Sequence, residues 1–173
     1  MRYFILMILF FASLILQSTL FSHLTFYGVK PDLVLILTVF FALINGPRQG
    51  ALAGLTGGLL QDLMFGRYIG MNALAKLLVG YVFGVLERKI YKDNILIPMV
   101  AVFFGAFLNE TIIYLLGLVS GTLNPTGENF SGYFALIGSV IIPSAIYTSL
   151  LAPFVYRKFY NSSRKGFLRD IDR

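Results

Sequence analysis

Six long apolar stretches divide the chain, and short polar segments separate them. Acidic and basic residues are absent from residues 3–29, 33–47, 49–61, 94–109, 111–127 and 129–156. Because about 20 mostly apolar residues cross the hydrocarbon core of a bilayer, such runs predict transmembrane helices. We expect six, at about 3–22, 32–45, 49–65, 71–87, 95–119 and 132–156. The sequence therefore predicts an all-α integral membrane protein with one six-helix domain, 1–156, and a basic cytoplasmic tail, 157–173.

The second predicted helix differs from the others because it has no polar stripe. It reads LVLILTVFFALI, after Pro31 and Asp32 at a position that favours a helix start. A helix that is apolar on every side suits contact with lipid. We expect this helix to face lipid over much of its circumference.

The third and fourth predicted helices carry glycine at four-residue spacing, which places the glycines on one face of each helix. These glycines are Gly50, Gly54 and Gly58 on the third helix, and Gly80 and Gly84 on the fourth. Small residues in this pattern allow two membrane helices to approach closely. The stretch from Gly50 to Gly84 therefore predicts a tightly packed helical hairpin.

Extending the same glycine ridges leads to polar residues at one end of the hairpin. Asp62 and Gln61 lie on the third helix, and Asn72 and Lys76 lie on the fourth. Asp62 and Lys76 fall at similar depths, so we expect an ion pair between them. This pair either fixes the hairpin or forms part of a ligand or partner site, and Lys76 could instead extend its amine toward the membrane surface.

Composition removes several function classes. Charged residues make up 13% of the chain, against about 25% in a soluble domain. Cysteine is absent and His23 is the single histidine, so we expect no disulfide and no zinc site built from several His or Cys ligands. We predict no catalytic residues, no metal and no cofactor, and therefore no enzyme.

The basic residues are distributed asymmetrically. With both termini in the cytoplasm, eleven of the fourteen Lys and Arg residues lie on the cytoplasmic side, and the outer loops hold Lys30 and Arg67. Such a bias sets membrane topology, so the net charge of +6 does not call for a nucleic-acid partner.

This orientation places polar residues of three helices in the outer half of the membrane. They are Gln61, Asp62, Asn72, Lys76, Asn109 and Glu110. We expect a polar cavity that opens to the outside above the close glycine packing. Glu110 has two interpretations: a protonated acid that bonds across helices, or a functional carboxylate.

Several motifs, taken in order and spacing, resemble the MreD family of bacterial rod-shape proteins over nearly the whole chain. They are Lys30–Pro31–Asp32–Leu33–Val34–Leu35, Gly46–Pro47–Arg48–Gln49–Gly50–Ala51, Gly54, Gly58–Leu59–Leu60–Gln61–Asp62, Gly70–Met71–Asn72–Ala73–Leu74 and Gly80–Tyr81. The fifth and sixth helices match only in hydropathy.

The resemblance implies a non-enzymatic, multi-pass protein of the bacterial cytoplasmic (inner) membrane that binds the scaffold protein MreC. It also implies a place beside MreB, RodA and a class B penicillin-binding protein in lateral wall growth, and a fold similar to that of the substrate-binding subunits of energy-coupling-factor vitamin transporters. The polar cavity leaves an alternative open: a transporter subunit, or a lipid-binding protein, with an outward-facing pocket.

Overall fold

The computed structural model describes residues 2–19, 30–66, 68–86, 96–121 and 136–164. Six α-helices occur in these ranges, with no β-strand among them. They are α1 (Arg2–Thr19), α2 (Leu33–Asn45), α3 (Pro47–Phe65), α4 (Met71–Val85), α5 (Leu96–Val119) and α6 (Ile142–Arg164), and a π-helical turn at Ile137–Ile141 precedes α6. The predicted all-helical fold is confirmed.

The helix bounds lie within a few residues of the predicted ones, except in α6, which begins at Ile142 after the π-helical turn. This helix continues to Arg164, eight residues beyond the predicted end at 156, so helix occupies part of the predicted tail. The predicted helix ends at 20–22, 87, 95 and 132–135 lie outside the described residues, as do residues 165–173.

Two of the described helices are long and apolar enough to cross a membrane, α5 and the segment Ile137–Val155. The apolar parts of α1, α2 and α4 are shorter, at 10–17 residues. Length and composition of this kind also occur in core helices of soluble proteins, so the six-span topology stays a prediction.

Helix α2 forms the centre of the bundle. Every residue from Val34 to Asn45 is buried, and α1, α3, α4, α5 and α6 all contact this helix. The expectation that α2 faces lipid is therefore wrong. A helix that is apolar on all sides suits either lipid or a protein core, and its hydropathy is the same in both cases.

One residue connects α2 to α3. Gly46 ends the first helix and precedes the second with a φ of +87°, a conformation that side chains with a Cβ rarely adopt. Pro47 follows at the first helical position, where its missing N–H has no partner to lose. The sharp turn brings α3 back along α2.

The glycine ridges pack α3 directly on the backbone of α4. A Cβ on Gly58 would lie 2.5 Å from the carbonyl oxygen of Asn72, and one on Gly54 would overlap the carbonyl of Lys76. Gly50 and Gly80 meet each other's carbonyl groups in the same way, and Gly84 meets Pro47. Helices α3 and α4 thus form the predicted tight hairpin, and the glycines of each helix face the other helix.

We expect Gly54→Ala to destabilise the protein by about 1–3 kcal/mol, since the added methyl group meets backbone atoms that cannot move without separating the helices. Gly138→Ala is the matched control, because a Cβ there meets nothing within 4 Å. Thermal unfolding of the detergent-purified variants compares the two. Equal midpoints for both variants would contradict the close approach.

Candidate functional site

Asp62 connects the end of α3 to the start of α4. Its carboxylate accepts hydrogen bonds from the backbone N–H groups of Gly70 (2.9 Å), Asn72 (3.2 Å) and Ala73 (3.0 Å), and from the Asn72 side-chain amide (2.8 Å). The first N–H groups of a helix lack partners within the helix and carry partial positive charge. Asp62, which is 2% exposed, therefore caps α4 from a neighbouring helix.

Lys76 forms its ion pair with a different carboxylate. Its side chain is fully buried, and its Nζ lies 2.7 Å from Oδ2 of Asp32 at the start of α2. The same nitrogen donates a hydrogen bond to Oδ1 of Asn72 at 3.3 Å.

The predicted pair between Asp62 and Lys76 is therefore wrong, and so is the suggestion that Lys76 extends toward the membrane surface. The oxygens of Asp62 are occupied by backbone N–H groups at the start of α4, where the carboxylate needs no cation. Lys76 lies one turn further along α4 and faces α2, which carries Asp32. A buried ammonium group requires such a charged partner.

Asp32 is the residue that sequence reasoning missed. Its Oδ1 accepts a hydrogen bond from the N–H of Leu35 at 2.9 Å and so caps α2. Its own N–H donates to Oγ1 of Thr148 on α6 at 3.2 Å. The Pro31–Asp32 pair indicated a helix start in the sequence, but the second use of the carboxylate depends on α2 lying beside α4.

A polar pocket of about 330 Å³ lies at the end of the bundle where α1 and α3 finish and α2 and α4 begin. Its lining residues come from four helices, α1, α3, α4 and α5, and from the segment before α2. They are Gln17, Ser18, Lys30, Pro31, Asp32, Gln61, Phe65, Asn72, Glu110 and Ile113. Three predicted site residues, Gln61, Asn72 and Glu110, thus line one pocket, as the predicted cavity requires.

The other three predicted site residues do not line the pocket. Asp62 and Lys76 are buried and hold the helices that form it. Asn109 is 1% exposed, and within the described ranges neither the nitrogen nor the oxygen of its side-chain amide has a hydrogen-bond partner. The structure offers no function for Asn109.

The described part of the chain contains no group of three or more His, Asp or Glu residues that could hold a metal ion. Besides three apolar residues, the cavity is lined by carboxylate, amide and hydroxyl groups and by Lys30, with one buried ion pair beside it. Such a site can bind polar groups through hydrogen bonds and charge.

We expect Lys76→Met to destabilise the protein by about 3–5 kcal/mol, because it leaves the Asp32 carboxylate with no cation in a buried site. The double variant Lys76→Met with Asp32→Asn should recover most of this loss, because asparagine carries no charge and also caps helices. A double-mutant cycle measured by thermal unfolding in detergent tests the pair. Simple additivity of the two single effects would contradict it.

Comparison with known proteins gives one family. The chain has no match among curated proteins or among solved structures. The predicted likeness to vitamin-transporter subunits thus stays a prediction. Residues 1–162 match the family described as rod shape-determining protein MreD. This match covers nearly the whole of the 173 residues, and the chain therefore belongs to the MreD family of rod shape-determining proteins.

Proposed function

We propose that the chain is a non-enzymatic subunit of the bacterial rod-shape machinery that lies in the cytoplasmic membrane and binds MreC. MreB, RodA and a class B penicillin-binding protein are its partners in the wider complex. The family match over residues 1–162 carries this proposal. The tightly packed bundle suits a protein that holds partners in place.

The outer faces of the helices support a membrane location with six spans. Large apolar side chains are exposed along α1, α3, α4, α5 and α6, with Phe4, Leu63, Tyr81, Phe104 and Phe154 among them. Apolar surface this extensive is rare on a soluble monomer and is typical of contact with lipid or another membrane helix. The excess of basic residues on one side favours cytoplasmic termini.

The contacts between the glycine ridges limit where an MreC helix can bind. Gly54 and Gly58 contact α4 within the chain, so they are not available to a partner. A partner must use an outer face of the bundle.

The outer face of α4 suits a single partner helix. Besides Val82, four exposed residues of α4 follow the spacing of four, three and four that forms the seam between paired helices. They are Leu74, Leu78, Tyr81 and Val85. We assign the MreC contact to this α4 face.

The absence of cysteine allows a direct test. Leu78→Cys and Tyr81→Cys should each form a disulfide with a cysteine introduced into the membrane span of MreC when membranes from co-expressing cells are oxidised. Phe104→Cys on α5 is the control, since its side chain is equally exposed on another helix. Crosslinking from Phe104 alone would place the partner on a different face.

The broader proposal has its own test. Affinity purification of the tagged wild-type chain from native membranes should recover MreC. Recovery of the chain without MreC, from membranes that contain both, would contradict the proposed function.

A second candidate function is the binding of a small molecule or lipid, as in the substrate-binding subunit of a transporter. The pocket favours it, because its volume of about 330 Å³ lies within the range of ligand sites, roughly 300–1,000 Å³. The two functions are compatible, because the α4 face and the pocket have no residue in common.

A further inference from the structure

We propose that the polar pocket and an apolar groove beside it bind one phospholipid, with the primary ammonium group of an ethanolamine headgroup in the pocket. This inference rests on the membrane location in the proposed function and adds a specific ligand to it.

The first observation is an orphaned acceptor on Gln17. This residue is 9% exposed and lines the pocket. Its Nε2 donates to the carbonyl oxygen of Pro31 at 2.9 Å, which fixes the orientation of the amide because a carbonyl oxygen accepts and cannot donate. Its Oε1 is buried and has no hydrogen-bond partner among the described residues. An unpaired buried acceptor is costly, so a ligand that brings a donor to this oxygen is favoured.

A second acceptor lies across the pocket on α3. Oε1 of Gln61 is also buried, and no described residue forms a hydrogen bond with it. The carboxyl group of Glu110 lines the same cavity from α5. The Asp32 carboxylate contributes little negative charge to the pocket, because it forms an ion pair with Lys76.

This set of acceptors selects the chemistry of the ligand. An ammonium group carries three N–H donors and no acceptor, so it can satisfy Gln17, Gln61 and Glu110 together. An ionised phosphate or carboxylate group has only acceptors, so it could not form hydrogen bonds with the acceptors of the pocket. A quaternary ammonium group has no N–H, and the cage of aromatic rings that recognises it is missing, since Phe65 is the single aromatic residue among the described lining residues.

The rim of the pocket supplies the opposite charge. Lys30 is exposed at the edge of the cavity. A cation at the rim and acceptors inside match a zwitterion that enters with its ammonium group first and leaves an anionic phosphate outside. In an ethanolamine phospholipid two carbon atoms separate these groups, and a pocket of about 330 Å³ is large enough for them.

An apolar groove of about 370 Å³ between α1 and α3 completes the site. Its walls are Met7, Ile8, Phe11, Ala12, Ile15 and Leu60. Ile15 lies one helical turn before Ser18, and Leu60 precedes Gln61, so the groove ends beside the pocket. From Met7 to Ile15 the groove follows about 12 Å of helix, which suits part of an acyl chain. The groove thus favours a lipid over a soluble amine.

Binding of defined lipids to the purified full chain tests this site. Native mass spectrometry and thermal unfolding in detergent would compare phosphatidylethanolamine with phosphatidylcholine of the same acyl chains, and with soluble phosphoethanolamine. We expect at least tenfold tighter binding of phosphatidylethanolamine than of either comparison ligand, and a raised unfolding midpoint with this lipid alone. Equal binding of the choline lipid would overturn the assignment of an ammonium group. Equal binding of soluble phosphoethanolamine would overturn the role of the groove.

Three variants separate the pocket from the fold. Gln61→Leu removes an acceptor for the charged ammonium group, and Glu110→Gln replaces a carboxyl acceptor by a neutral amide, so each should weaken phosphatidylethanolamine binding roughly tenfold. Leu150→Ala, at an exposed position on α6, is the control and should bind as the wild type does. If Glu110→Gln does not fold, Gln61→Leu decides. Unchanged lipid binding in a folded Gln61→Leu variant would overturn the proposal.

Co-purification of MreC with the Gln61→Leu variant distinguishes a failure of the lipid site from a failure of the proposed function. We expect the variant to lose the lipid and retain MreC. Failure of the wild-type chain to bind MreC would contradict the proposed function, whereas failure of a wild-type chain that binds MreC to prefer phosphatidylethanolamine would contradict only the lipid site.

Discussion

The close approach of α3 and α4 is the constraint on which the rest of the structure depends. Glycine at three successive turns of α3 allows the backbone of α4 to lie against it without an intervening side chain. At this separation Asp62 reaches the first N–H groups of α4 directly. A wider hairpin would leave those N–H groups without a partner in a buried place.

The hairpin also sets the direction of Lys76. Because its carbonyl group packs on Gly54, the residue lies at the contact between α3 and α4, and its side chain extends to Asp32. The pair connects α4 to the start of α2, and the Asp32 N–H connects α2 to Thr148 on α6. A short chain of polar contacts thus holds four helices together at one end of an otherwise apolar bundle, where desolvated charges are costly unless paired.

These contacts explain why the pocket lies where it does. They occupy the donors and acceptors of Asp62, Asn72 and Lys76, so those groups support the cavity. Gln17 and Gln61 retain unpaired acceptors at its wall. In the proposed function the two ligands use separate parts of the surface. The partner helix binds the outer α4 face, and the lipid headgroup binds the pocket at one end of the bundle.

The sequence by itself determined the all-helical fold, the six helices, the glycine ridges and the family, because hydropathy and four-residue spacing are local properties that a helix preserves. It also predicted a cavity lined by polar residues of three helices, of which Gln61, Asn72 and Glu110 line the pocket, because the order and direction of the helices bring these positions to a similar depth. Only the tertiary structure decided that α2 is the core, since burial by protein and burial by lipid require the same apolar side chains. It also decided that Lys76 pairs with Asp32, because the choice between two carboxylates depends on which helices are neighbours and on which oxygens the backbone already occupies.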